Sequence, residues 1–422
     1  MQELLPAGVM PNLARIVGAG SLRRMNSVHP PVSSVAWASF MTGRNPAKHG
    51  IFGFIDRQPG SYRTFIPTGK NLRQETLWEI LSHAGKRVIV MNVPMTYPPR
   101  EVNGLLVGCF LSPNLEKATY PASLAPRLKE MGYRIDTDPW KARESKDAFL
   151  EDFEITLARR AEAAFHLMDS EKWDFFMLHI METDRLHHFM WDDYDDKTSA
   201  YHPAFISCYR QIDGVLGQLM DRVGPDTELI ILSDHGFCGL KKEVYLNHWL
   251  ASAGYLKFTK EAPETLSDMH PESRAYSLDP GRVYINLRGR EPAGCVQQGR
   301  EYETLREELA SRMLDLADPD SGERMVQRVL TREEAFCGEL LDQAPDLVID
   351  PYNGYDFKGA MNKLTLTGKN KLTGMHTYDD AMLYVKGRDT SGDQIRVTDV
   401  MPTILKLMDL PVPQGVDGRT LV

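Results

Sequence analysis

Short apolar runs recur along the chain between longer segments of helical periodicity: RVIVMNV at 87–93, GLLVGCF at 104–110, WDFFMLHI at 173–180, TELIILS at 227–233, PDLVIDP at 345–351 and AMLYVKG at 381–387. Runs of this length, too uniformly apolar to present a wet face, are the mark of strands buried on both sides. The alternation predicts an α/β fold with a largely parallel sheet covered by helices on both faces. The helices are clearest at 11–19, where Pro11 suits a first helical position, and at 147–169, 203–223, 299–316 and 398–408, the last ending before Pro411.

Between about 241 and 345 the texture changes. ETLSDMHPESRAYSLDPGR, a Gly-Arg-Glu-Pro turn, one charged helix and DPDSGER predict an inserted cap with its own small sheet. The expected organisation is a core of residues 1–240 and 346–422 interrupted by a cap at 241–345, and a second polar segment, around 112–146, is expected to behave likewise. There are no internal repeats. In open α/β sheets, ligands sit outside the carboxyl ends of the strands, so the residues there bear on chemistry first.

Composition narrows the partners. A net charge of −9 and a pI near 5.8, with no long basic run, argue against a nucleic-acid polymer but not against a small phosphorylated molecule held at a local metal centre. Five scattered cysteines without a CxxC pair predict reduced thiols and a cytoplasmic setting. No apolar run approaches the about 20 residues of a membrane-spanning helix.

Two strands end in acid and histidine. IILSDHGF places Asp234 beside His235, and METDRLHHFMWDD follows WDFFMLHI with Asp184 and His188 at i and i+4, one face of a helical turn. Taken singly, Asp-His-Gly is turn chemistry and Asp-x-x-x-His a helix pair. His187 is a substitute ligand that projects about 100° away from His188. A further histidine, His376 in TGMHTYDD, lies just before an apolar strand. Together these five residues concentrate oxygen and imidazole ligands at strand ends, which suits two divalent ions, Zn²⁺ first and Mn²⁺ as the alternative. The segment HPPVSSVAWASFMTGRNPAKHGIFGF adds hydroxyls where a helix opens, and helix N-termini favour anions. By itself Ser33 or Ser34 reads as a cap of that helix.

PPVSSVAWASFMTGRNPAKHGIFGF, the Asp184/His188 segment, SDHGF, TGMHTYDD and the tail DVMPTILKLMDLPVPQGVDGRTL occur in this order and together resemble the alkaline phosphatase superfamily, most closely its type I phosphodiesterase/nucleotide pyrophosphatase group. The resemblance extends over nearly the whole chain, including GRVYINLRGREP. It implies metal-dependent hydrolysis of phosphate esters through a phospho-serine. Counting back from Thr42-Gly43 as the family pattern does puts the nucleophile at Ser33, with Ser34 the second choice. The family's ligand pattern implies that Asp184, His188 and His376 hold one metal, and that Asp234 and His235 hold the other together with the nucleophile. His49 is implied to be a structural histidine that fixes its loop. A sulfatase would need x-Pro-x-Arg after the nucleophile, where this chain reads Ser34-Val35-Ala36-Trp37. A phosphomutase would transfer the phosphoryl group to a second hydroxyl, and a non-catalytic binding version would keep the fold without turnover.

Two departures stand out. Family members begin with a strand ending in an Asp that ligates the nucleophile's metal, whereas here Met1 lies almost at the PNLARIV helix and neither that strand nor its Asp is present. An Asn soon after the nucleophile that contacts a phosphoryl oxygen is replaced by Ala36, which leaves the preference between mono- and diesters open. The chain as written is therefore expected to be metal-deficient at the nucleophile's site and poorly active. Metal content and hydrolysis of bis(4-nitrophenyl) phosphate, measured for this chain and for one extended upstream, should both rise on extension; equal and full values in the two would remove this expectation.

Overall fold

The computed structural model describes residues 3–390 and 394–422. The apolar runs form strands, and their alternation decides which face each residue covers. Val88 and Val90 of the strand Val88–Met91 enter a cluster with Trp37, Phe40, Trp78, Val400 and Leu405, while Ile89 and Met91 enter another with Leu124, Leu128, Ala163 and Leu167. Helices therefore cover both faces: Ser33–Thr42, Leu77–His83 and Val400–Leu407 on one, Leu124–Glu130 and Lys146–Ser170 on the other.

Strand direction is mixed. Val88–Met91 pairs in parallel with Gly104–Val107 and Phe175–Leu178, and Thr119–Tyr120 adds an antiparallel edge. A separate ladder sets Ala381–Lys386 antiparallel to both Gly20–Met25 and Ile230–Leu232. The α/β class thus holds, but the sheet is less parallel than its apolar runs predict. Ala381–Lys386 enters directly from the turn after Gly374–Thr377, without the helical crossover that a parallel neighbour requires. Phe175–Leu178 and Ile230–Leu232 each end their own ladder, and both are only half-buried.

The run at 345–351 does form a strand, Leu347–Pro351, but in the insertion and not in the core. It pairs with Arg282–Ile285 and Val326–Thr331 in a four-stranded antiparallel sheet completed by Ala275–Leu278 and backed by the helix Arg300–Leu314. Lys242–Tyr245 pairs with Tyr355–Lys358 and with Thr367–Gly368, so the insertion's ladders run past the boundary expected at 345. The apolar pattern of 345–351 signals burial without naming the partner strand. The polar segment 112–146 is no cap: it supplies Thr119–Tyr120 to the core sheet and packs Leu124, Leu128 and Tyr133 beneath it.

Insertion and core are joined by buried charge. Arg282 is fully buried and its guanidinium binds the Asp56 carboxylate and the carbonyls of Ile55 and Asp279. Arg57 meets Glu291 at 3.0 Å, both nearly inaccessible, and Tyr62 donates to Asn286 Oδ1. Removing one partner of such a pair leaves a buried charge uncompensated, which costs more than the pair itself contributes. Asp56→Ala should therefore lower stability by about 3 kcal/mol in urea unfolding; a change below about 1 kcal/mol, the scale of exposed pairs, would show that Arg282 finds another partner.

Candidate metal centre and nucleophile

The strand Ile230–Leu232 delivers Ser233, Asp234 and His235 at its carboxyl end, and the chain then continues into a second strand, Gly236–Gly239. That strand pairs antiparallel with Gly374–Thr377, in a register that puts His376 opposite Phe237. The ladder lays the His376 ring over His235, with centroids 3.7 Å apart. What looked like a turn after a strand is the joint between two ladders.

Asp184 and His188 come from the helix Glu182–Asp195, which is kinked at Met190 (φ −132°, ψ 19°). The kink leaves the His188 carbonyl free to accept from Thr373 N at 2.7 Å, and lets Trp191 N donate to Thr373 Oγ1 at 2.8 Å. The strand bearing His376 is thereby docked into the helix bearing Asp184 and His188. The approach is so close that a Cβ on Gly374 would stand 2.4 Å from the His187 carbonyl.

Three ligand atoms converge there. His376 Nε2 lies 3.0 Å from Asp184 Oδ1 and 3.0 Å from His188 Nε2, and the third side of the triangle is 3.5 Å. A tetrahedral ion about 2.0 Å from each ligand sets them about 3.3 Å apart, so the spacing fits. The tautomers support this. His188 Nδ1 faces the Gly374 carbonyl at 3.1 Å and His376 Nδ1 the Pro31 carbonyl at 3.0 Å. With each ring proton committed to a carbonyl, both Nε2 atoms present lone pairs to each other at hydrogen-bond distance. Two facing lone pairs repel unless a cation takes both.

Burial keeps the His188 imidazole neutral, its pKa lowered to about 4 against the pull of Asp184. Burial alone would raise the Asp184 pKa, but the charge that His188 and His376 would carry when protonated, together with Arg185, outweighs it and holds the carboxyl well below its usual range.

Beside this triad, Ser33 Oγ lies 3.0 Å from His235 Nε2, which is 3.3 Å from Asp234 Oδ2. His235 Nδ1 faces the Gly236 carbonyl at 3.1 Å, so its Nε2 too is turned inward. Asp234 Oδ2 is buried and makes no hydrogen bond. An orphaned buried carboxylate oxygen beside an inward imidazole and a hydroxyl fits a second cation.

Ser33 is the first residue of its helix, and Val32, not a hydroxyl, occupies the capping position, with no side-chain cap bond. Ser34 is buried and donates to the Gly53 carbonyl at 2.9 Å, away from the histidines. His187 is ruled out as a ligand of the triad, since its Nε2 is 2.5 Å from the Tyr209 hydroxyl inside a box of Trp191, Phe205 and Phe237. His49, fully buried, takes Ile51 N–H on Nδ1 and donates from Nε2 to Ser39 Oγ, which fixes the loop after the helix.

The structure adds residues that the sequence pattern passed over. His179 ends the strand Phe175–Leu178 with a buried, unpartnered Nδ1, its ring edge-on to Trp37 at 4.9 Å. Burial lowers its pKa to about 4 although Asp234 and Asp184 pull it upward. Its place at the polar end of an apolar strand was the available signal. Arg185, next to Asp184 in sequence, lies 3.6 Å from Asp184 Oδ2.

The sequence matches the family described as Type I phosphodiesterase / nucleotide pyrophosphatase over residues 2–379. The chain belongs to this family. It is accordingly a phosphoric ester hydrolase of the phosphodiesterase/pyrophosphatase type. No curated protein matches the sequence. Among solved structures, the fold is similar to phosphonoacetate hydrolase from Sinorhizobium meliloti 1021 in complex with phosphonoacetate, at 19% identity over 95% of this chain and 90% of that one, with a TM-score of 0.64. It is also similar to murine ectonucleotide pyrophosphatase/phosphodiesterase 5, at 15% identity over 96% and 91% of the two chains with a TM-score of 0.56, and to its human counterpart at 13% identity, with the same coverage and TM-score. The family is typically divalent-metal dependent, and the Asp184–His188–His376 triad is the place in this member where such an ion fits.

Gly374 tests how tightly the centre is built. Gly374→Ala forces the strand off the His187 carbonyl and carries with it both His376 and the carbonyl that orients His188. Affinity for Zn²⁺ in equilibrium dialysis should fall about tenfold, the scale of lost ligand orientation, while unchanged affinity would mean that the two elements yield without cost.

Proposed function

We propose that this phosphodiesterase-family enzyme cleaves small phosphate esters by attack of Ser33 on phosphorus, with one divalent cation held by Asp184, His188 and His376 and a second by Asp234, His235 and Ser33. The observation that carries this is the convergence of Asp184, His188 and His376 on one point, beside a His235 that stacks on His376 and turns its Nε2 to Ser33 Oγ and Asp234. Zn²⁺ suits the mixed imidazole and carboxylate donors, with Mn²⁺ as the alternative. Cations bound there would supply Lewis-acid stabilisation of negative charge on the nucleophile and the leaving oxygen.

The protein's own groups do the rest. His235, with its Nδ1 proton committed to Gly236, keeps its Nε2 lone pair turned toward Ser33 Oγ, where it would hold a cation beside the hydroxyl, and the Ser33 proton passes to solvent water. Ser33 opens a ten-residue helix, so the amides at that end favour the phosphoryl anion. Attack forms the Ser33 Oγ–P bond and breaks the bond to the leaving alcohol. Water then hydrolyses the phospho-serine and releases phosphate or a monoester. With Ala36 in place of a phosphoryl-contacting Asn, monoesters and diesters are both candidate substrates.

The free state of all five cysteines agrees with a reducing, cytoplasmic setting.

Ser33→Ala distinguishes a catalyst from a binding protein. Turnover of bis(4-nitrophenyl) phosphate should fall about a thousandfold or more, as expected when a nucleophile is removed, while metal at Asp184, His188 and His376 is retained. Wild-type turnover in the alanine variant would assign the nucleophile elsewhere.

A further inference from the structure

Asp184 uses its two oxygens differently. Oδ1 faces the imidazoles, 3.0 Å from His376 Nε2 and 3.5 Å from His188 Nε2, whereas Oδ2 is turned to the other side, 3.6 Å from Arg185 Nη1. A carboxylate beside a cation can swing to offer both oxygens, so something must hold this one.

Arg185 is itself held on two sides. Its Nη2 and Nε donate to Asp136 Oδ2 at 2.7 and 3.3 Å, and its guanidinium lies over the Phe110 ring, 5.3 Å from the centroid. The side chains of Arg185, Asp136 and Asp184 are 17%, 15% and 13% exposed. With Nη2 and Nε given to Asp136 and Nη1 turned to Asp184, the guanidinium is already engaged by a carboxylate on each of two sides.

We propose that Arg185, locked by Asp136, is a positioning residue that holds Asp184 by Oδ2, so that Oδ1 alone meets the cation. This rests on the reading of Asp184, His188 and His376 as a metal centre. It also gives a task to the polar segment 112–146, which delivers Asp136. One residue earlier, the Ile135 carbonyl accepts from Arg160 Nη2, while Arg160 Nε donates at 2.8 Å to Glu182, the first residue of the helix that carries Asp184. Both side chains of that pair are wholly inaccessible. Buried ion pairs contribute little net stability, and fixing one geometry is a use to which such pairs are put. The N-terminal turn bearing Asp184 is thus clamped on both sides by one segment, through Arg160 and through Arg185.

The test uses Co²⁺ alone as the probe of the triad, in the full chain, with affinity read by chelator competition and coordination by visible absorption, whose bands weaken as coordination rises above four. Arg185→Gln should weaken Co²⁺ binding about tenfold and dim the bands, as Asp184 offers its second oxygen, with the circular dichroism of the metal-free protein unchanged. Asp136→Asn should move both readouts the same way by less. Wild-type affinity and spectrum in Arg185→Gln would overturn the proposal; if that variant does not fold, the same result in Asp136→Asn would overturn it. His376→Ala separates the two readings: it should remove the part of the Co²⁺ spectrum and binding that belongs to this triad, and if it binds Co²⁺ as the wild type does, the metal-centre reading itself fails.

Discussion

Three imidazoles turn their Nε2 atoms into the site, those of His188 and His376 toward Asp184 and that of His235 toward Ser33, because three backbone carbonyls take the protons on the far side. Gly374 does this for His188, Pro31 for His376 and Gly236 for His235. Backbone carbonyls cannot rotate away as side chains do, so the tautomers are set by the fold itself. Everything else in the site follows from where those carbonyls are placed. Each belongs to a different stretch of chain, and the centre exists only when the Gly236–Gly239 and Gly374–Thr377 ladder, the loop before Ser33 and the kinked helix are all assembled.

That dependence explains the local irregularities. The kink at Met190 interrupts helical bonding where the Thr373 backbone and hydroxyl need partners, and the glycines at 236 and 374 sit where neighbouring groups leave no room for a side chain. A Cβ on Gly236 would lie 2.4 Å from Thr377 Oγ1. Such features weaken regular structure taken alone and persist because they bring the ladder and the helix into contact.

Much of this was legible from the chain. The apolar runs located the strands, the periodic segments located the long helices, and acid-histidine pairs at strand ends marked Asp184, His188, Asp234 and His235. What could not be read has a common cause. A buried run reports that it is covered, not by what, so the 345–351 strand was assigned to the core when its partners are Arg282–Ile285 and Val326–Thr331. Likewise Asp136 carries no local sign of its partner Arg185, because the two are brought together only by the packing of a distant polar segment. His179 was hidden by its neighbours, a single imidazole at the end of an otherwise apolar run.

Arg282 links the insertion to the segment that opens with Ser33. Its guanidinium reaches from the insertion to the Asp56 side chain and the Ile55 carbonyl, and packs so closely on Gly53 that a Cβ there would overlap it. Gly53 in turn accepts the Ser34 hydroxyl, one residue from Ser33. A buried charge thus ties the insertion to the loop that anchors the helix of Ser33. A change in the insertion at Arg282 therefore reaches Ser33 through one glycine and one hydroxyl, without touching any of the histidines.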